Sequence, residues 1–136
     1  MDMIRILAVD DEPDLRSLLR ILLKNRGYEV LEAASGTEAV ELVRSEPRID
    51  LVIMDIMMPG LNGVEACAEI RKFSTVPMLF LTAKSQLADK AEAYASGGDD
   101  YLAKPFSQNE LMMKVESLTR RYRIYKGKKE SMDGND

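Results

Sequence analysis

Five polar residues stand where short apolar runs end. Asp10 and Asp11 follow "IRILAV" (4–9), Asp55 follows "LVIM" (51–54), Thr82 follows "VPMLFL" (76–81) and Lys104 follows "DYLA" (100–103). An isolated Asp after an apolar run is an ordinary cap or turn residue. Taken together, the five form a chemical set. Three crowded carboxylates at −3 repel, and without compensation one of them takes up a proton. A divalent cation and the Lys104 ammonium bring the sum to zero. The chain has no His and a single Cys, so the ligands are oxygens, which suits Mg²⁺. Lys104 as an anion anchor and Thr82 as a hydroxyl donor then have a phosphoryl group to hold. Asp55, between the acid pair and the Thr and Lys side, is the candidate nucleophile, since a carboxylate can form an acyl phosphate.

The elements that must bring these residues together are legible in the periodicity. The runs 4–9, 28–33, 51–54, 76–81 and 100–103 are β-rich and read as strands. The first helix is announced by acids at 11 and 12 and by Pro13. Its Leu15, Leu18, Leu19, Leu22 and Leu23 line one face, and Gly27 stops it. Capping boxes Ser35 to Glu38, Asn62 to Glu65 and Ser107 to Glu110 open three more helices. The segment 85–95 reads as a weaker helix with a thin apolar face of Leu87, Ala91 and Tyr94. Strands that are apolar on both faces and alternate with helices predict an α/β fold, doubly wound, with a five-stranded parallel sheet and helices on both faces. Ligands of such folds bind outside the carboxyl ends of the strands, where the five polar residues lie.

At 136 residues, 46% hydrophobic and 31% charged, the chain suits one globular domain, with no repeat and no boundary before about residue 121. No apolar run approaches a membrane span and Asp2 and Arg5 interrupt any signal sequence, so the expected setting is cytoplasmic, with no membrane partner. Cys67 and most of the nine Met residues read as core filler. Residues 1–119 carry a net charge of −7, which excludes nucleic-acid binding by the body, whereas 120–129 hold six basic residues and no acid. The expected organisation is a domain over 1–121, then a basic linker and disordered tail over 122–136.

The motifs "AVDDEPDLRSLL", "LVIMDIMMPGLNG", "FLTAKS" and "GGDDYLAKPF" resemble, in the right order over residues 3 to about 121, the CheY-like receiver domain of two-component response regulators. The resemblance implies strand order 2-1-3-4-5 and transfer of a phosphoryl group from a phosphohistidine on a sensor histidine kinase to Asp55. It implies that Asp11, Asp55 and the Met57 carbonyl bind Mg²⁺, with Asp10 acting mainly through a water on the metal. Thr82 and Lys104 would contact the phosphoryl oxygens, and Lys104 and Pro105 would be joined by a cis peptide. Thr82 and Tyr101, three residues before Lys104, would be the switch pair. Such a domain is no enzyme beyond acting on its own aspartate.

"DDYLAKPF", Arg120-Arg121 and the basic run resemble more narrowly the OmpR/PhoB winged-helix class, which implies DNA contact only through an output domain not in this chain. It also implies a homodimer on phosphorylation, with Lys90 pairing Glu110, Asp100 pairing Lys114 and Asp99 pairing Arg121 across subunits. Lys114 departs from the Arg usual there, which forfeits a bidentate contact. Three alternatives stand beside this reading. A stand-alone phosphorelay receiver would need no output domain. A Mg²⁺-dependent aspartyl phosphatase would want a second acid two residues past the nucleophile, where this chain has Met57. A flavin module would want a hydroxyl- and glycine-rich loop in place of "DDEPD".

Overall fold

The computed structural model describes residues 3–46, 48–83 and 97–133. Five strands, β1 (Arg5–Val9), β2 (Glu29–Ala33), β3 (Leu51–Asp55), β4 (Met78–Ala83) and β5 (Asp100–Lys104), form one parallel sheet in the order β2-β1-β3-β4-β5. Described helices are α1 (Pro13–Lys24), α2 (Gly36–Ser45), α3 (Gly63–Ile70) and α4 (Gln108–Asp133). The expected helix over 85–95 lies outside the described residues.

Side chains alternate across a strand, so each strand feeds two cores. Leu7, Val9, Val52, Met54, Met78 and Phe80 pack on one face with Ala39, Val40 and Val43 of α2 and Ala66, Cys67 and Ile70 of α3. Ile6, Ala8, Ile53, Leu79, Leu81 and Leu102 pack on the other with Leu19 and Leu23 of α1 and Leu111, Met112, Val115 and Leu118 of α4. A sheet buried on both faces needs the apolar strands seen in the sequence. Among the described residues, no helix is long and apolar enough to cross a membrane.

The helix starts follow the expected chemistry. Asn62 and Glu65 satisfy each other's backbone amides in a complete capping box. Ser107 and Glu110 do the same at the head of α4. Ser35 caps α2, but Glu38 reaches back one residue further, to the Ala34 amide. Gly27 ends the turn after α1 at φ 88°, a conformation that side chains other than Gly rarely adopt.

Two expectations need correcting. Leu18 is 46% exposed, because it sits at the edge of a stripe centred on the buried Leu19 and Leu23. The stretch after 121 is not irregular, since α4 continues to Asp133. Arg, Lys, Glu and Met are good helix formers, and Gly127, at a cost of about 1 kcal/mol, does not break the run. Arg123 ties the extension to the body, through Asp50 Oδ2 at 3.7 Å and the Met3 carbonyl at 3.5 Å.

Candidate functional site: an acidic cluster at the carboxyl edge of the sheet

All five polar residues end up along one edge because all five strands point the same way. Asp55 is the last residue of β3 and Lys104 the last of β5; Thr82 lies in β4 one residue before its end. β3 and β4 are registered so that Asp55 pairs with Leu81, one residue before Thr82. Gly63, the first residue of α3, backs directly onto this strand end: a Cβ there would collide with the Asp55 carbonyl. Its amide donates to the Ile56 carbonyl at 2.9 Å. The loop 56–62 is thereby pulled tight behind the acid.

Asp10 and Asp55 are buried and Asp11 is exposed. One carboxylate oxygen from each lies within 4.8 Å of the others. Lys104 Nζ donates to Asp55 Oδ2 at 2.8 Å and stands 3.6 Å from Asp10 Oδ2. The other Asp55 oxygen, Oδ1, accepts the Met57 amide at 3.0 Å, which brings the Met57 backbone beside the cluster while its side chain faces solvent. Asp10 Oδ1 accepts the Glu12 amide at 2.9 Å. Thr82 is buried, and its hydroxyl donates to the Ala83 carbonyl at 3.3 Å.

The electrostatics follow from burial and crowding. Desolvation raises the Asp10 pKa from 3.8 to about 6; the Glu12 amide and Lys104 oppose the rise, and the Asp55 and Asp11 charges add to it. Burial works to lower the Lys104 pKa. The Asp55 hydrogen bond and the charges of Asp55, Asp10 and Glu12 outweigh it, so Lys104 titrates above its ordinary value. Asp10 Oδ2 is buried with no hydrogen-bond partner. An orphaned carboxylate oxygen, two neighbouring carboxylates and no nitrogen or sulfur ligand among them fit a hard divalent cation, and Mg²⁺ in particular.

Residues 6–116 match the response regulator receiver domain family. The chain belongs to the receiver family. This receiver is 53% identical over 126 residues to the uncharacterized transcriptional regulatory protein YrkP of Bacillus subtilis, a match covering 93% of this chain and 54% of YrkP. It is 42% identical over 117 residues to the transcriptional regulatory protein ResD of the same organism, covering 86% and 48%. It thus spans about half the length of the curated relatives it matches, and it is homologous to regulators of the OmpR/PhoB class. Among solved structures, the receiver domain of the sensor histidine kinase PA1611 from Pseudomonas aeruginosa, with a magnesium ion in its active-site cleft, is 33% identical with a TM-score of 0.80. That alignment covers 87% of this chain and 98% of that one. The acidic cluster is accordingly a receiver's phosphoacceptor site suited to Mg²⁺, its chemistry directed at the chain itself, and membership implies a cognate histidine kinase.

The remaining expected residues are placed as follows. The Lys104–Pro105 peptide is cis. Tyr101 is turned inward, 6% exposed, with its ring 6.1 Å from that of Phe80. Of the residues expected at a subunit interface, Lys90 lies outside the described residues. Glu110 and Arg121 are exposed. Asp100 and Lys114 pair within the chain, Nζ standing 3.1 and 3.0 Å from the two carboxylate oxygens. Asp99 is engaged too: its Oδ2 accepts from Arg71 Nη2 at 3.0 Å and from the Met78 amide at 2.8 Å.

Sequence reasoning missed that Arg71. Its guanidinium also donates to the carbonyls of Gly97 and Val76, binding the end of α3 to the entry of β5. It missed Arg16 as well, whose Nη1 donates to the Asp10 carbonyl. Neither has a spacing signature, because each acts on backbone groups that any residue carries.

Proposed function

We propose that Asp55 accepts a phosphoryl group from a phosphohistidine on a sensor histidine kinase, and that this switches the face presented by β5 and α4. The observation that carries the reading is the Lys104 ammonium 2.8 Å from Asp55 Oδ2 within a cluster of three carboxylates. Asp11, Asp55 and the Met57 carbonyl would hold Mg²⁺, with Asp10 acting at one remove. When bound, the cation offsets the carboxylates and the charge developing on the phosphoryl oxygens. An Asp55 oxygen forms the new bond to phosphorus as the phosphorus–nitrogen bond of the donor breaks. The bonding pair leaves with the imidazole, and the product is an acyl phosphate. Lys104 exchanges Asp55 Oδ2 for a phosphoryl oxygen. Thr82 swings from the Ala83 carbonyl to a second phosphoryl oxygen, and the space it leaves favours the inward position of Tyr101.

Acetyl phosphate should therefore add one phosphoryl group per chain with Mg²⁺ present and none once the metal is chelated. Intact-mass spectra read the adduct directly; an equal yield in chelator would overturn the metal assignment. Lys104→Ala should keep the fold, since the side chain is 26% exposed at the sheet edge and packs in neither core. It should nevertheless uncouple modification from response. Beryllofluoride would bind without moving the Tyr101 amide resonance, and a full wild-type shift in the variant would remove Lys104 from the switch.

The output of this cytoplasmic switch is a DNA-binding domain outside this chain, a reading supported by the half-length match to transcriptional regulators. Activation would pair two receivers through β5 and α4, with Asp100 and Lys114 exchanging their contact within the chain for one across subunits. Both are about one-third exposed, and such pairs are worth about 0 to 1 kcal/mol, so the exchange is cheap. Asp99 must leave Arg71 to reach Arg121. Sedimentation velocity should show beryllofluoride with Mg²⁺ shifting a monomer toward a dimer. Lys90→Glu should weaken that dimer and Lys90→Glu with Glu110→Lys partly restore it. An activated protein that stays monomeric would instead favour the stand-alone relay.

A further inference from the structure

Asp11 is exposed, and among the described residues no hydrogen bond or ion pair holds its carboxylate. Its aim at the cluster is set by its backbone. The chain is held on both sides of the Asp10 Cα, at the amide of the peptide before it and at the carbonyl of the peptide that joins Asp10 to Asp11. The Asp10 amide continues the β1–β2 ladder by donating to the Ala33 carbonyl at 3.2 Å. The Asp10 carbonyl, past the end of β1, accepts from Arg16 Nη1 at 2.7 Å, within the range of a charge-assisted bond.

The guanidinium that makes this bond is itself held. Arg16 Nε contacts Glu32 Oε1 at 3.3 Å, and Arg20, one turn further along α1, contacts the other Glu32 oxygen at 3.0 Å. Glu32 lies in β2, and the Arg16 side chain is only 19% exposed. A planar fork anchored on a strand by one nitrogen delivers a second nitrogen in a fixed direction.

We propose that Arg16 is a positioning residue for the metal site. By locking the carbonyl of the 10–11 peptide to β2 through Glu32, it keeps Asp11 facing Asp10 and Asp55. This rests on the reading of Asp11 as a Mg²⁺ ligand. Arg16 acts on direction rather than by charge, because Glu32 neutralises it. Without the bond the peptide plane is free to rotate and to hydrogen-bond to water, and Asp11 swings with it.

The test is a Mg²⁺ titration of the unphosphorylated protein, followed by the amide resonances of Asp11 and Met57. Arg16→Gln should bind Mg²⁺ about tenfold more weakly, the scale found when groups that orient metal ligands are removed. Arg20→Gln, which strips Glu32 of its other arginine without touching Asp10, should stay within about twofold of wild type. Wild-type affinity in Arg16→Gln, or an equal loss in Arg20→Gln, overturns the proposal. Should Arg16→Gln fail to fold, Glu32→Gln applies the same test by releasing the anchor. Weakened binding there supports the proposal and unchanged affinity overturns it. The wild-type titration separates the two claims: no saturable shift in it sinks the metal reading itself, whereas normal wild-type binding with an unaffected Arg16 variant sinks only the role of Arg16.

Discussion

Asp55→Asn should abolish the phosphoryl adduct while leaving a folded protein. The amide is neutral and a poor nucleophile, so the rate of modification should fall on the order of 10³-fold or more, as it does when other enzymes lose an attacking group. The fold should survive because Asn retains an oxygen to accept the Met57 amide. The substitution also removes one member of a crowded set of carboxylates, which relieves repulsion. The variant costs Lys104 its partner at 2.8 Å, but that ammonium still has Asp10 within 3.6 Å. Intact-mass spectra after acetyl phosphate and Mg²⁺ decide the matter. An undiminished adduct would transfer the acceptor role to another carboxylate, Asp10 or Asp11 being the nearest.

The second large effect is on stability, and it runs against the usual expectation for an ion-paired acid. The folded Asp10 binds its proton up to about pH 6, the unfolded side chain only up to about 3.8. Between these values the folded state holds more protons than the unfolded one. The contribution of Asp10 is therefore fully present below about pH 4 and is lost as pH rises through 6. At neutral pH the metal-free protein bears the cost of a buried, crowded anion. Asp10→Asn should remove that cost and keep the acceptor for the Glu12 amide. The expected gain at pH 7 is on the order of 1–2 kcal/mol, the shift being discounted for solvent reaching the site on the side of exposed Asp11. Urea unfolding of the metal-free proteins between pH 4 and 8 should show the wild type losing stability relative to the variant as pH rises. Parallel curves would mean that Asp10 titrates as an ordinary carboxylate. Mg²⁺ should stabilise the wild type progressively more above pH 6, because the charge of Asp10, which favours the nearby cation, is available only once its proton is lost.

The sequence made the fold and the cluster legible for a simple reason. In a parallel sheet every strand delivers its last residue to the same edge, so Asp10, Asp55, Thr82 and Lys104 could be brought together from strand ends alone. Helix starts were equally legible, since Asn62 with Glu65 and Ser107 with Glu110 are local pairs three residues apart. Contacts between distant residues were not. Arg71 reaches Gly97 across 26 positions and Arg16 reaches Glu32 across 16. One caps the end of a helix and the other lies within one, and nothing in their neighbours distinguishes either from a solvated residue. Past residue 121, composition misled. A basic run without an apolar stripe reads as linker, yet the same residues extend a helix whose early turns are nucleated by the core contacts of Leu111, Val115 and Leu118. The subunit pairs could not be read to the end for a different cause: complementary charges at the expected positions do not say whether they meet within one chain, as Asp100 and Lys114 do in this structure, or across two.

That long last helix has a use in protein engineering. Its 26 residues, at 1.5 Å each, make a rod of about 39 Å that starts three residues after Pro105, whose bond to Lys104 is cis. Anything fused along residues 122–133 inherits an azimuth as well as a distance, because each residue added turns the attachment point by about 100° around the axis. A pair of fluorophores grafted at successive positions would sweep a spiral around the body. The brightness of a sensor made from this chain would then oscillate with insert length, repeating about every 3.6 residues instead of decaying smoothly.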